Sequence, residues 1–121
     1  MSTTDNYDGQ RNIFPPSWLN EFHRLNMMRC KKDFSPEHNA MALVVCVAEE
    51  VGEIAAAVLG ATGEKKRKAH LSSADVLDGV ADAMTYLSLL AHKMGCTDLQ
   101  GLLSKTFNMV SDRCGSNIKV P

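Results

Sequence analysis

Glu49, Glu50 and Glu53 stand inside the most apolar stretch of this 121-residue chain, between Met41–Val47 and Val51–Leu59. A buried carboxylate without a partner loses several kcal/mol of hydration, roughly, even after relaxation. No Lys or Arg lies between Lys32 and Lys65 to pair with these acids locally. At about 100° per residue, Glu50 and Glu53 share one helix face, and Glu49 lies close beside Glu53. An oxygen-only set of this kind suits a hard divalent cation. Taken alone, Glu-Glu-x-x-Glu is more simply a solvated stripe on an amphipathic helix. The decision turns on a second acidic group, and Asp75, Asp78 and Asp82 supply one. Asp75 and Asp82 fall about 20° apart around a helix axis, with Asp78 one turn before Asp82.

The elements that must position these groups are all helical. Pro15-Pro16 and an N-cap at Ser17 open a first helix, on which Trp18, Phe22, Leu25 and Met28 repeat down to about Lys31. Ser35-Pro36-Glu37 signals the start of a second, running to Leu59 with Gly60 as its stop. Ser72 or Ser73 caps a third, closed by Gly95, with Val76, Val80, Met84, Leu87, Ala91 and Met94 as its expected core stripe. Thr97-Asp98-Leu99-Gln100 reads as a capping box for a fourth, which carries Leu99, Leu102, Leu103, Phe107 and Val110 and ends at Gly115. No strand alternation or internal repeat appears, so the expected fold is an all-α bundle of four main helices. Residues 1–16 form an N-terminal arm, 17–115 the helical domain and 116–121 a tail. The Met41–Val47 segment is apolar all round and needs cover from several sides, which predicts an oligomer.

Composition narrows the partners. A formal net charge of −1 gives no electrostatic case for nucleic acid or an anionic membrane. The longest apolar run, Met41–Ala48, is too short to span a bilayer. Four dispersed cysteines form no C-x-x-C pair, and a reduced, cytoplasmic setting is the simplest expectation. The basic run Lys65–Lys68 reads as a solvated loop, or alternatively as a flap attracting phosphate.

Long helices two and three, joined by a short connection, pack most naturally antiparallel, which brings the two acidic groups level. Carboxylates meeting there repel unless cations sit between them. With no His at Glu-x-x-His spacing, the donor set points to Mg²⁺ or Mn²⁺ over a di-iron centre.

Glu49-Glu50-x-x-Glu53, followed on the next helix by Ala81-Asp82-x-x-x-Tyr86-Leu87, resembles the MazG-like, all-α nucleoside triphosphate pyrophosphohydrolases. The closing stretch Lys105-Thr106-Phe107-Asn108-x-x-Ser111-Asp112-Arg113-x-Gly115-Ser116 is similar to the C-terminal segment of phage- and plasmid-type members. The similarity spans roughly Trp18 to Lys119. It implies a bundle of the all-α NTP pyrophosphatase type and Mg²⁺-dependent hydrolysis of a (d)NTP to (d)NMP and pyrophosphate, in a dimer or tetramer. The family's metal-binding Glu-x-x-Glu falls on Glu50 and Glu53, and its Glu-x-x-Asp ends on Asp82. The Glu of that second motif falls on Gly79, leaving Asp78 or Asp75 to substitute.

On this reading the metal ligands are Glu50, Glu53, Asp82 and Asp78, and Glu49 is the general base for the attacking water. Lys105 and Arg113 would hold phosphate oxygens, Asn108 a phosphate or sugar, and Tyr86 a carboxylate or phosphate, while Trp18 would stack on the base. An ordinary polar helix face is the plain alternative for the first three, and core packing for Tyr86. Gly79 raises a competing function, a weakened or inactive helical module that binds nucleotide or protein. A purely structural oligomerisation bundle is a third. The expected reason for Gly79 is loss of a ligand rather than close packing, since it is placed on the acidic side of its helix.

Overall fold

In the computed structural model, residues 18–30, 39–65 and 71–121 are described. They form four helices and no strand: α1 (Trp18–Cys30), α2 (Ala40–Ala61), α3 (Ser73–Lys93) and α4 (Leu99–Cys114). The all-α expectation holds. The arm, the Ser17 cap, the Ser35-Pro36-Glu37 signal and most of the basic run lie outside the described residues.

Local chemistry sets the boundaries. α2 begins later than the Ser-Pro-Glu signal suggests, at an Asn39 N-cap whose side chain accepts from the Ala42 N–H at 2.9 Å. It also runs past Gly60, which is buried within the helix, and turns off at Thr62 and Gly63, whose φ of 75° suits a residue without Cβ. α3 is capped at Ser72, whose backbone N–H and hydroxyl both donate to Asp75 Oδ2, at 2.6 and 3.0 Å. α4 is capped by Asp98 rather than Thr97, its carboxylate accepting from the Gly101 N–H at 2.9 Å. Asn20 of α1 joins that cap, donating to Asp98 at 2.8 Å and accepting from the Gln100 N–H at 2.9 Å. The Asn20 amide, followed by the Gly101 N–H, holds the Asp98 carboxyl below its ordinary range.

α2 and α3 make the main packing unit, with α1 on α3 and α4 on α1. Their order is antiparallel: Ile54 meets Gly79, Glu50 senses Asp82, and Cys46 senses Tyr86, so positions fall along α2 as they rise along α3. α1 is fixed on α3 by polar groups. His23 is fully buried, its Nδ1 2.6 Å from Ser88 Oγ and its Nε2 2.8 Å from the Cys96 carbonyl. His92 Nε2 lies 2.9 Å from the His23 carbonyl, and the two rings stack at 3.7 Å. A carbonyl only accepts, so Nε2 of each ring carries a proton; in neutral His23, Nδ1 then accepts from the Ser88 hydroxyl. Asn26 is also buried and donates to the Thr85 carbonyl at 3.0 Å.

The stripe expected as the core of α3 is corrected by the structure. Val80, Met84, Leu87 and Met94 are exposed, and the buried face is Gly79, Ala83, Ser88 and Leu89. Small residues let α3 approach α2 and α1 closely, and a pattern read from large apolar residues passes over them. Among the described residues only Leu43, Ala57, Ala83 and Leu89 are buried hydrophobic side chains.

Two outcomes follow for stability. Replacing His23 by Ala leaves the Ser88 hydroxyl and the Cys96 carbonyl without their partner and opens a cavity, and urea unfolding should show a loss of about 3 kcal/mol. For Asp98, the depressed folded-state value means its contribution is complete above the ordinary 3.8 and is lost as pH falls through the lower folded value. Asp98→Asn should therefore flatten the acid end of a stability–pH profile and lower stability at neutral pH.

Candidate functional site

The site begins with the seam between α2 and α3. Gly79 is buried, and a Cβ placed on it would lie 2.6 Å from Ile54 Cγ1. The two helices thus approach through a missing side chain, and the acids line one edge of their contact. Glu53 from α2 and Asp75, Asp78 and Asp82 from α3 face a cleft of about 440 Å³, floored by Ala56, Ala57 and Gly79.

Glu50 lies one turn along, half-buried, and its Oε2 is shielded from solvent without a hydrogen-bond partner. Burial pushes its carboxyl above the usual range, and the charges of Glu53 and Asp82, a hydrogen bond with Glu53 and the charge of Glu49 push it the same way. Neither the Arg24–Glu21 nor the Lys119–Asp112 ion pair touches this cluster. Burial also raises the Tyr86 hydroxyl, with the Cys46 thiol, Glu50, Asp82 and Glu49 adding to it. The Tyr86 phenol is a potential hydrogen-bond donor beside these carboxylates. Among the described residues no three His, Cys, Asp or Glu side chains converge closely enough to hold a metal ion. The carboxylates are neighbours across a cleft, not a closed ligand shell.

Six of the expected site residues are therefore brought together: Glu49, Glu50, Glu53, Asp78, Asp82 and Tyr86. Four are not. Trp18 stacks on Phe22 at 6.1 Å and lines a separate hollow on α1 with Leu25 and Met28. Lys105, Asn108 and Arg113 ride on α4, which packs on α1. Asn108 is corrected as a ligand-binding residue. Its amide donates to the Val120 carbonyl at 2.9 Å and accepts from the Val120 N–H at 2.8 Å, which holds the tail against α4. Asp75 is likewise a helix cap, one oxygen being taken by Ser72.

The preference for ligand loss at Gly79 is corrected too, because Ile54 occupies the space its side chain would take. Ile54 is the residue the sequence reading missed. In the sequence it is one more apolar position, and only the approach of Gly79 on α3 shows what it packs against. Compared with protein-family models, curated proteins and solved structures, the chain matches none.

Substitution of Gly79 by Glu or Ala should lower stability by about 1–3 kcal/mol through overpacking against Ile54, measured by chemical denaturation. Ile54→Ala made alongside should recover part of that loss. For Glu50 the sign is opposite to that of Asp98. Its folded-state value is raised, so stability falls as pH rises from the ordinary 4.5 through the folded value. Glu50→Gln should remove that fall and raise the thermal midpoint at neutral pH in the absence of divalent metal.

Proposed function

We propose that this chain is a Mg²⁺-dependent nucleoside triphosphate pyrophosphohydrolase of the MazG-like, all-α kind, working as a homodimer or homotetramer in the cytoplasm. The observation that carries the reading is the meeting of the two acidic groups at one edge of the α2–α3 seam, with Glu50 Oε2 buried and lacking a partner. An orphaned acceptor among repelling carboxylates is what an oxygen-seeking cation relieves. Glu50, Glu53 and Asp82 would hold it once their side chains turned in on the ion, since they stand too far apart as they are, with Asp78 contributing from the cleft, and Mn²⁺ fits the same donors. When bound, the metal neutralises triphosphate charge and polarises the phosphorus under attack.

The chain's own groups supply the rest. Glu49, exposed at the rim, accepts the proton of the attacking water. The new P–O bond forms at the α-phosphorus as the α–β anhydride breaks, giving nucleoside monophosphate and pyrophosphate. Tyr86 donates its hydroxyl to a carboxylate or phosphate oxygen. Lys105, Arg113 and Trp18 join this reading only where the oligomer carries them to the cleft.

A second reading has its own observation. With Gly79 filled by Ile54 and Asp75 bound in a cap, the α3 side offers fewer free carboxylates than a full site needs. That favours a helical module that binds nucleotide or protein without turnover.

The eight common NTPs and dNTPs, screened with Mg²⁺ for release of pyrophosphate, separate the two. Hydrolysis of at least one supports the enzyme, and Glu50→Gln or Glu53→Gln should lower its rate by about a hundredfold or more while circular dichroism stays unchanged. Nucleotide binding with no pyrophosphate supports the module. Mg²⁺ at a hundredfold excess over its dissociation constant should also stabilise the unaltered chain by about 2.7 kcal/mol. A thermal midpoint indifferent to Mg²⁺ and Mn²⁺ would count against any formed metal site.

A further inference from the structure

Asp82 lies between two fixed points on α3. At about 100° per residue, Gly79 and Thr85 flank it, about 60° to either side around the axis and one turn before and after it. Gly79 is closed against Ile54 of α2. Thr85 is held from α1, where the Asn26 amide donates to its carbonyl at 3.0 Å. The Thr85 hydroxyl in turn donates at 2.9 Å to the carbonyl of Ala81, the residue before Asp82. Among the described residues no hydrogen bond reaches the Asp82 carboxylate itself. Its direction therefore comes from the backbone turn 81–85, and these two bonds hold that turn at its ends.

Docking alone does not call for Asn26. The side chain is buried, and its oxygen accepts from Arg29 at 3.2 Å. Within α3 the Thr85 carbonyl already accepts from the Leu89 N–H one turn on, so no orphaned group requires the amide. A leucine of the same branched outline would bury more apolar surface at this place and leave no amide to be taken out of water. What the amide adds is register. A hydrogen bond to one carbonyl weakens steeply when α1 slides or α3 rotates, whereas an apolar contact tolerates both.

We propose that Asn26 is a positioning residue, which through Thr85 fixes the turn of α3 that holds Asp82 level with Glu50 and Glu53. This role rests on the metal-binding part of the functional reading and adds α1 to the elements that build that site. Asn26 and Thr85 touch neither metal nor nucleotide in it. A contact behind a metal ligand acts on occupancy of the site, where one that only holds the fold together acts on stability.

Asn26→Leu and Thr85→Val, each keeping the branched outline of the residue it replaces, separate the two roles. Both should retain helix content and a urea midpoint close to that of the unaltered chain. Both should raise the Mg²⁺ concentration at the half-point of thermal stabilisation by about tenfold or more, and lower kcat for pyrophosphate release by a similar factor. Thr85→Ser, which keeps the hydroxyl, should recover most of what Thr85→Val loses. A Mg²⁺ half-point unmoved in both variants overturns the proposal, and stability lost at that unmoved half-point makes the two residues structural. Where Asn26→Leu does not fold, the Thr85 pair decides, and equal half-points for Val and Ser overturn the proposal. An unaltered chain that neither responds to Mg²⁺ nor releases pyrophosphate overturns the functional reading and this role with it. A responsive unaltered chain matched by its variants overturns this role alone.

Discussion

Negative charge removed from water without a counter-ion is the constraint around which this molecule is arranged. Glu50 is half-buried, its neighbours are Glu53, Asp82 and Glu49, and one of its oxygens meets neither solvent nor a donor. In the low dielectric of a helix seam such a group either stays protonated or waits for a cation. The surroundings permit both. Tyr86, a potential donor, stands beside the same acids, and the cleft with Asp78 and Asp82 leaves an approach for a charged ligand.

Among the described residues, the other helix contacts rest on small and polar groups more than on bulk. α1 is anchored to α3 through His23, Ser88 and Asn26, and to α4 through Asn20 and the Asp98 cap. These bonded polar contacts specify one geometry for α1, since each lost bond leaves a buried group unsatisfied. The large apolar side chains lie mostly outside this framework, including Met84 and Leu87 of α3 and Leu103 and Phe107 of α4. Among the described residues few apolar side chains are fully buried, and α3 and α4 present large apolar residues outward.

How much of this was legible depended on what kind of residue carried the signal. Helix number and order, the Ser72 and Gly95 ends of α3, and the levelling of the two acidic groups followed from caps, glycines and spacing. The α3 core face did not, because Gly79, Ala83 and Ser88 say nothing in a pattern of large apolar residues and matter only when a neighbour is present. Asn108 looked like a polar surface residue because its partner, Val120, is reached only after the chain reverses beyond Gly115. The Asp98 cap was displaced by one residue from the expected Thr97 because Asn20, distant in sequence, completes it. Long-range partners, not local preference, account for each of these differences.

The contact between Ile54 and Gly79 reaches beyond packing into how such a chain can change over time. A carboxylate introduced at residue 79 would arrive in a space already filled, so it fits without strain only where residue 54 is smaller. The reverse order passes through a state with a void at the seam. The two positions are therefore coupled, a larger residue at 79 calling for a smaller one at 54. A fuller acidic face on α3 therefore calls for two substitutions at once, since either one alone strains the seam or opens a void in it.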